Sequence, residues 1–294
     1  MKRVAVLGGG GVAGIAWETG VAAGLARGGV DIAAADGFIG TSAGASLGAQ
    51  LAAGLGLEGL LAAQLDPPPD SKETLRPYSQ AAADAANRKL MDKVGGDLGE
   101  ARRRIGAFAL RSPTVPPEER RSIVAARLPG AQWPQRWLGV VAVDTATGEH
   151  RLFDAASGAD FTNAIAASSA VPGAWPAVAI DGRLYMDGGI RSLTNADLAA
   201  GARHVVVLAP LGWGDGNPVS GHLRQEAERL RSAGSRVDVI VPDAASLEAL
   251  GDNVLDPARR APSAAAGLAQ GLALAPALAT WNTDSLFTTT GDKP

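Results

Sequence analysis

Residues 40–44 read Gly-Thr-Ser-Ala-Gly, a G-x-S-x-G pattern that places a serine between two glycines. A serine can act as a nucleophile when it stands on a sharp strand-to-helix turn, whose flanking residues must be glycine or very small. An apolar pair precedes the pattern and a small-residue segment follows it, as such a turn requires. A helix beginning at Ala43 would also point backbone N–H groups at a developing oxyanion. The pattern therefore predicts Ser42 as a nucleophile.

A serine hydroxyl needs a base to take its proton in the transition state, and the usual base is a histidine held by a carboxylate. The chain contains three histidines, His150, His204 and His222. None lies at the carboxyl end of a strand-like run, where the sites of α/β proteins gather. We therefore expect all three to be structural or solvated.

Asp187 is the better candidate for the base. It follows a strand-like run and precedes two glycines, so a strand would carry the carboxylate to its end and the backbone could then turn away. A carboxylate with an ordinary pKa of about 3.9 is a weak base, but burial would raise that pKa. A loop without any chemical role is the competing interpretation, because Asp-Gly turns are common.

Four consecutive glycines at positions 8–11 follow the first apolar run and precede a helix-like segment. Several backbone N–H groups of such a loop can converge on one point and stabilise an oxyanion. We therefore expect this loop, together with the N–H of Ala43, to stabilise the oxyanion.

Residues 9–14 also satisfy G-x-G-x-x-G, the dinucleotide-binding fingerprint, and Asp31 and Asp36 lie near the spacing of its ribose-binding acid. The alternative function is therefore a nucleotide-binding module or an NAD(P)-dependent oxidoreductase. In that fingerprint the acid should end the second strand. The serine turn occupies this place instead, which favours hydrolysis.

The composition is that of an ordinary globular protein, with 46% hydrophobic and 19% charged residues in a chain of 294. A net charge of −3 provides no basic field for nucleic acid. The absence of cysteine excludes disulfides, thiolate catalysis and cysteine-bound metals. No cluster of histidine and acidic residues has metal-ligand spacing, so we expect neither a metal nor a cofactor.

Two basic residues followed by an apolar run resemble the start of an export signal, but the glycines at 8–11 interrupt that run. We therefore predict a retained first strand and a cytoplasmic protein. No uninterrupted apolar stretch reaches the ~20 residues that span a bilayer. The nearest, residues 264–281, contains glycines and a proline and predicts a terminal helix packed on the sheet.

Strand-like and helix-like runs alternate along the chain, which predicts a three-layer α/β sandwich around a central, mostly parallel sheet. Asp181 and Gly182, between two short alternating runs, indicate a two-residue hairpin turn. Helices are predicted at residues 14–27 and 43–65. The predicted strands are residues 3–7, 37–40, 137–144, 149–154, 178–180, 183–186, 205–208 and 237–241.

We expect a single domain over residues 1–294, with an inserted helical segment at about 66–117 and a frayed tail at about 283–294. Within the insertion, residues 80–94 and 99–111 are helix-like and prolines bound them. Two interpretations stay open. The segment is either a cap over the site or a pair of surface helices without a gating role.

Three of these motifs, in this order, resemble the patatin-like phospholipases, a family of serine acyl hydrolases that use a Ser-Asp dyad. A further block at 164–178 leads into the Asp-Gly-Gly motif much as in that family, and the resemblance spans about residues 4–193. The three motifs are the glycine loop 9–14, the serine turn 40–44 and the acidic turn 187–189.

The resemblance implies a patatin-like fold in which Ser42 is the nucleophile and Asp187 the base. It also implies that the oxyanion loop consists of Gly9, Gly10 and Gly11. The substrate would be a lipid or another ester, reached through transient contact with a membrane surface and without nucleic acid. Many members carry an arginine or lysine where this chain has Ala13. The loss of that cation would weaken contacts with an anionic phosphate.

Overall fold

The structure, a computed structural model, describes residues 1–67 and 74–283. Its central sheet has the strand order β5-β6-β3-β2-β1-β7-β8, with β4 paired to β3 off this path. The strands from β3 through β8 in this order are parallel, whereas β4 and β6 run antiparallel to β3 and β5 runs antiparallel to β6. The strands are β1 (Arg3–Leu7), β2 (Gly37–Thr41), β3 (Trp137–Asp144), β4 (His150–Phe153), β5 (Val178–Ile180), β6 (Arg183–Asp187), β7 (His204–Leu208) and β8 (Arg236–Ile240).

Helices cover both faces of this sheet and fill the long connections. Short 3₁₀ turns complete the chain. The α-helices are α1 (Gly11–Arg27), α2 (Ala43–Ala52), α3 (Leu57–Leu65), α4 (Gln80–Lys93), α5 (Leu98–Arg111), α6 (Pro117–Ala125), α7 (Phe161–Ser168), α8 (Leu223–Ser232), α9 (Ala244–Leu250), α10 (Arg260–Leu274) and α11 (Thr280–Thr283).

The core consists of two apolar layers, one on each face of the sheet. Successive strand residues point to opposite faces, so Ala5 and Leu7 pack with α1, α2 and α7, whereas Val4 and Val6 pack with α8. β1 lies between β2 and β7 in the middle of the sheet and is buried on both faces, as its continuous apolar run predicts. The predicted three-layer sandwich with a mostly parallel sheet is confirmed.

The Asp181–Gly182 hairpin is confirmed as well. Both residues have positive φ, 51° and 74°, which is the geometry that joins two antiparallel strands through a two-residue turn. The turn connects β5 to β6, whose last residue is Asp187. The hairpin therefore delivers the candidate base.

Several helix boundaries differ from the predictions. The long helix predicted at 43–65 is two helices, α2 and α3, because the chain breaks around Gly54, which has a φ of 82°. Helix α1 begins three residues earlier than predicted, directly in the glycine run. Helix α6 was not predicted. It begins at Pro117, a position that tolerates proline because the first N–H groups of a helix have no intrahelical partner.

The C-terminal segment predicted to pack on the sheet, residues 264–281, does so only at its end, where the ring centroid of Trp281 lies 4.9 Å from that of His204 of β7. Helix α10 packs along α1 in the outer layer, and the Trp17 Nε1–H donates to Gln270 Oε1 at 3.1 Å between them. Small residues bring the two backbones into contact: a Cβ at Gly267 would lie 2.3 Å from the Trp17 carbonyl oxygen. None of the described helices is long and apolar enough to cross a membrane. The predicted frayed tail, apart from its first residue, lies outside the described residues.

Helices α4 and α5 belong to the insertion between α3 and β3. Helix α5 is anchored to the sheet, because Ala101 and Ile105 pack on Val143 and Met186. Helix α4 has no fully buried residue and lies farther out. Residues 68–73, near the start of the insertion, are outside the described part of the chain.

Candidate active site

Ser42 occupies a strained turn between β2 and α2. Its φ of 54° and ψ of −112° lie in a region that side-chain-bearing residues rarely adopt and that costs about 1–3 kcal/mol. The flanking glycines are required by close approach. A Cβ at Gly40 would lie 2.4 Å from the Ala45 Cα, and one at Gly44 would lie 2.1 Å from the Leu7 carbonyl oxygen. The turn therefore has the geometry of a nucleophile elbow.

The strand order brings Asp187 to the same place. Strands β2 and β6 meet end to end along one side of β3, with Thr41 paired to Val141 and Asp187 paired to Ala142, the next residue of β3, while β4 pairs with the other side at both residues. Because β6 is antiparallel to β3, its last residue reaches the level at which β2 ends. Ser42 and Asp187 consequently lie at one edge of the sheet.

Both side chains line a cavity of about 410 Å³ at this edge. The glycine loop forms one wall and helices α4 and α5 form another, so the insertion contributes directly to the cavity. Most of the lining is apolar. All three histidines are described, and none lines the cavity. The apolar lining residues are Ala83, Ala86, Leu90, Ile105, Phe108, Val171, Pro172, Ile190, Leu193, Leu211, Val254 and Leu255.

Asp187 is buried, with only 5% of its surface exposed. Its Oδ1 accepts a 2.7 Å hydrogen bond from the Gly189 N–H, and no described residue makes a well-formed hydrogen bond to Oδ2. Burial raises the pKa of this carboxyl to about 6, against smaller lowering effects of the Gly189 N–H, the Ser42 hydroxyl and the positive charge of Arg120. The Ser42 hydroxyl is therefore close enough to lower the pKa of the Asp187 carboxyl, but the two groups do not form a well-aligned hydrogen bond. Such loose geometry is common in unliganded sites.

The glycine loop presents free backbone donors beside Ser42. Among the described residues, none accepts a hydrogen bond from the N–H of Gly10, Gly11 or Ala43. The Gly9 N–H is different, since it donates to the Leu193 carbonyl oxygen at 2.8 Å. Gly9 lines the cavity, but its N–H is already engaged. Of the four predicted donors, three are therefore available to a ligand.

Sequence reasoning missed two polar residues of the site. The Ser168 hydroxyl accepts a 2.9 Å hydrogen bond from the Ser42 N–H and so fixes the backbone of the serine turn. Tyr78 lines the cavity and donates to Gln80 Oε1 at 2.9 Å, and burial together with the nearby negative charge of Asp187 raises its pKa. The only sequence signal for Ser168 was its place at the end of a helix-like run, and no sequence signal indicated Tyr78.

A buried arginine of helix α6, which sequence analysis did not single out, lies near the serine turn. Arg120 of α6 is 2% exposed, lies 3.9 Å from the ring centroid of Trp175 and donates to Ser169 Oγ at 3.1 Å. It lines a small recess together with Ser42. Ala13, where many family members are basic, is fully buried. The chain therefore supplies a positive charge near the glycine loop from outside that loop.

The two acids of the nucleotide-binding alternative are placed elsewhere. Asp36 accepts hydrogen bonds from the Lys2 and Arg3 N–H groups, both at 2.8 Å, at the edge where β1 begins. Asp31 caps a 3₁₀ turn through the Ala33 N–H. Neither carboxylate lies at the carboxyl edge of the sheet, where a ribose-binding acid is required.

No group of three or more histidine, cysteine or acidic side chains suitable for a metal ion occurs in residues 1–67 and 74–283. Beside the Ser42 hydroxyl and the Asp187 carboxyl, the cavity is lined by the backbone of the glycine loop, whose N–H groups suit a polar carbonyl substrate.

The fold and the cavity thus define an α/β protein with a serine elbow facing a buried carboxyl. The sequence profile of the patatin-like phospholipases matches residues 5–200, about two thirds of the chain, and the chain belongs to that family. This family hydrolyses lipid acyl esters.

No curated protein matches the sequence. Two solved structures are similar over most of the chain. VipD from Legionella pneumophila shows 13% identity and a TM-score of 0.45, with 94% of this chain and 67% of VipD covered. The type III effector protein ExoU shows 16% identity and a TM-score of 0.41, with 97% of this chain and 53% of ExoU covered. The family assignment rests on the profile match alone.

Proposed function

We propose that this chain is a serine-dependent acyl hydrolase that works through an acyl-Ser42 intermediate, with Asp187 as the base. The observation that supports this most directly is the pairing of a strained serine with a buried carboxyl whose pKa is raised to about 6. A carboxylate with this pKa is ionised at neutral pH and is a stronger base than an ordinary aspartate.

In the first half of the reaction, Asp187 takes the proton from the Ser42 hydroxyl as Oγ attacks the ester carbonyl. The carbonyl oxygen becomes an oxyanion, and the N–H groups of Gly10, Gly11 and Ala43 donate to it. Asp187 then returns the proton to the leaving alkoxide. The bond from carbonyl carbon to leaving oxygen breaks, the alcohol departs and Ser42 carries the acyl group.

In the second half, water attacks the acyl-Ser42 carbonyl while Asp187 takes one of its protons. Collapse of the second tetrahedral intermediate releases the fatty acid, and the proton returns to Ser42 Oγ. The enzyme is restored with one ester bond and one water consumed. The same carboxyl serves as base and acid in turn, which suits a pKa near the working pH.

The lining of the cavity supports an acyl chain as the buried part of the substrate. Its walls are mainly aliphatic and aromatic side chains, many of them from α4 and α5, and Ser42, Asp187 and the backbone of the glycine loop line it as well. Such an arrangement holds a hydrocarbon chain with the ester carbonyl at the polar end. We infer a lipid or another acyl ester as substrate and contact with a lipid surface during delivery.

Active-site labelling tests this proposal. A fluorophosphonate probe should label the wild-type chain and leave Ser42→Ala unlabelled, and peptide mapping should place the adduct on Ser42. Hydrolysis of activated esters should fall by about 10⁴-fold or more in Ser42→Ala and by about 10³-fold or more in Asp187→Asn.

Ser232→Ala is the matched control, because this serine is exposed on α8 and bonded only to Glu228 of the same helix. It should be labelled and should turn over esters like the wild type. The proposal is contradicted if Ser42→Ala hydrolyses esters at the wild-type rate, or if the probe labels another serine.

A further inference from the structure

Asn195 is completely buried behind the candidate site, and its backbone is left-handed with a φ of 54°. Its Nδ2 group lies within hydrogen-bond distance of three acceptors: the Ser192 carbonyl oxygen at 2.8 Å, Thr41 Oγ1 at 3.0 Å and the Gly188 carbonyl oxygen at 3.2 Å. An amide nitrogen carries two hydrogens, so these acceptors share them.

The orientation of this amide is fixed from its other side. Arg191 Nη1 donates to Asn195 Oδ1 at 2.9 Å. Arg191 is held in turn by a bidentate pair with Asp197, at 2.8 and 2.6 Å. A guanidinium can only donate, so it must face the amide oxygen, and the nitrogen must face the three acceptors.

Two of those acceptors adjoin the reacting groups. Thr41 immediately precedes Ser42, and Gly188 immediately follows Asp187. One side-chain amide therefore bonds to both segments at once. Thr41 Oγ1 also donates to the Thr194 carbonyl oxygen at 3.2 Å, which adds a second bond between the end of β2 and the segment that carries Asn195.

We propose that Asn195 is a positioning residue that sets the separation between the Ser42 hydroxyl and the Asp187 carboxyl. The inference rests on the proposed function. A dyad has no imidazole between nucleophile and base, so the proton passes directly across one gap, and a displacement of about 1 Å can cost about 10²-fold in rate. Asn195 itself touches neither the substrate cavity nor the reacting atoms.

Two substitutions at this position separate positioning from folding. Asn195→Gly removes the amide but tolerates the left-handed backbone. Asn195→Asp keeps the shape and the contact with Arg191 but replaces the Nδ2 donor by an acceptor that repels the Gly188 carbonyl. A third variant, Thr41→Val, removes one acceptor at nearly constant volume and leaves Asn195 in place.

In each folded variant we expect kcat to fall about 10–100-fold with KM within about twofold, because only the reacting geometry changes. The rate constant for fluorophosphonate labelling should fall in parallel. Asn195→Asp should also move the inflection of the pH profile of kcat/KM upward, since a second carboxylate near Asp187 disfavours its ionisation. Thr41→Val combined with Asn195→Gly should be less than additive in kcat.

Asn163→Asp on α7 is the matched control for a change of amide to carboxylate, since Asn163 pairs with Arg121 away from the cavity. It should leave kcat and the pH profile unchanged. Wild-type kcat and labelling rates in Thr41→Val and in a folded Asn195 variant would overturn the inference, even where thermal stability drops.

Ser42→Ala and Asp187→Asn are measured in the same series. If both are inactive while the Asn195 and Thr41 variants turn over normally, the positioning inference fails and the proposed function stands. If Asp187→Asn turns over like the wild type, the proposed dyad fails, and the inference fails with it.

Discussion

Ser42 and Asp187 face each other from the ends of two strands that lie end to end. Strands β2 and β6 pair with the same side of β3, one after the other, and the two candidate residues meet because their strands end at adjacent residues of β3, Val141 and Ala142. One strand is parallel to β3 and the other is antiparallel to it. The hairpin β5–β6 therefore determines where the carboxyl lies relative to Ser42.

The pH dependence of turnover follows from the pKa of Asp187. The carboxyl must be ionised to accept the Ser42 proton, so kcat/KM should rise with pH and level off above an inflection near 6, where burial places this pKa. Hydrolysis of a non-ionisable ester between pH 4.5 and 8.5 measures the profile. An inflection near 4, the region of an ordinary aspartate, would contradict this prediction.

The same pKa predicts a pH-dependent cost in stability. The folded state raises the pKa of Asp187 from 3.8 to about 6, so it binds this proton more tightly than the unfolded chain does. Stability is then highest at low pH with respect to this group, and falls as pH rises from about 4 to 6. The loss is complete at about pH 7, one unit above the folded-state pKa, and amounts to about 3 kcal/mol.

Asp187→Asn should remove this cost while Oδ1 still accepts from the Gly189 N–H. The variant should therefore unfold at higher urea concentration than the wild type at pH 8 and at nearly the same concentration at pH 4. Glu18, whose pKa burial also raises, is present in both chains and cancels from the difference. A stability difference that is independent of pH would argue against a buried ionised carboxyl.

The elbow should not tolerate a methyl group at Gly44. A Cβ there would meet the Leu7 carbonyl oxygen at 2.1 Å, and both partners are backbone in the centre of the fold, so neither can move cheaply. We expect Gly44→Ala to lower the free energy of unfolding by more than about 3 kcal/mol or to prevent folding.

Gly59→Ala is the matched comparison. Gly59 is exposed on α3 with nothing within 4 Å of an added Cβ, so alanine should stabilise the helix by about 0.5–1 kcal/mol. Urea unfolding of both variants measures the contrast. Equal stability of the two variants would show that the elbow is not tightly packed against β1.

The assignment of the cavity to an acyl chain predicts a change in chain-length preference. Ala83 of α4 lines the cavity, and Ala83→Trp should fill space that a long acyl chain needs. We expect kcat/KM for decanoyl esters to fall more than about 10-fold while acetyl esters change less than about twofold, since each excluded methylene removes apolar contact.

Ala82→Trp places the same side chain at an exposed neighbouring position that does not line the cavity. A panel of activated esters from two to sixteen carbons compares the two variants. If they shift the preference equally, the cavity next to α4 does not hold the acyl chain.

The elements that could be predicted from sequence share a local cause. The apolar run of β1, the Asp181–Gly182 turn and the glycines around Ser42 each impose a backbone conformation on their own few residues. The misplaced elements lack such a local signal. Helix α10 is apolar enough to cover a sheet, and only the glycine-lined contact with α1 decides that it lies in the outer layer.

The sequence by itself determined which residue types could do chemistry, because a serine between glycines and an aspartate before two glycines require particular backbone geometries wherever they occur. It also determined the family, through the order of those motifs. The tertiary structure decided what local sequence does not encode. Strand pairing along one side of β3 brings Ser42 to Asp187, burial raises the pKa of the carboxyl, and the Leu193 carbonyl oxygen accepts a hydrogen bond from the Gly9 N–H. Each depends on residues distant in the chain that meet only in the folded protein.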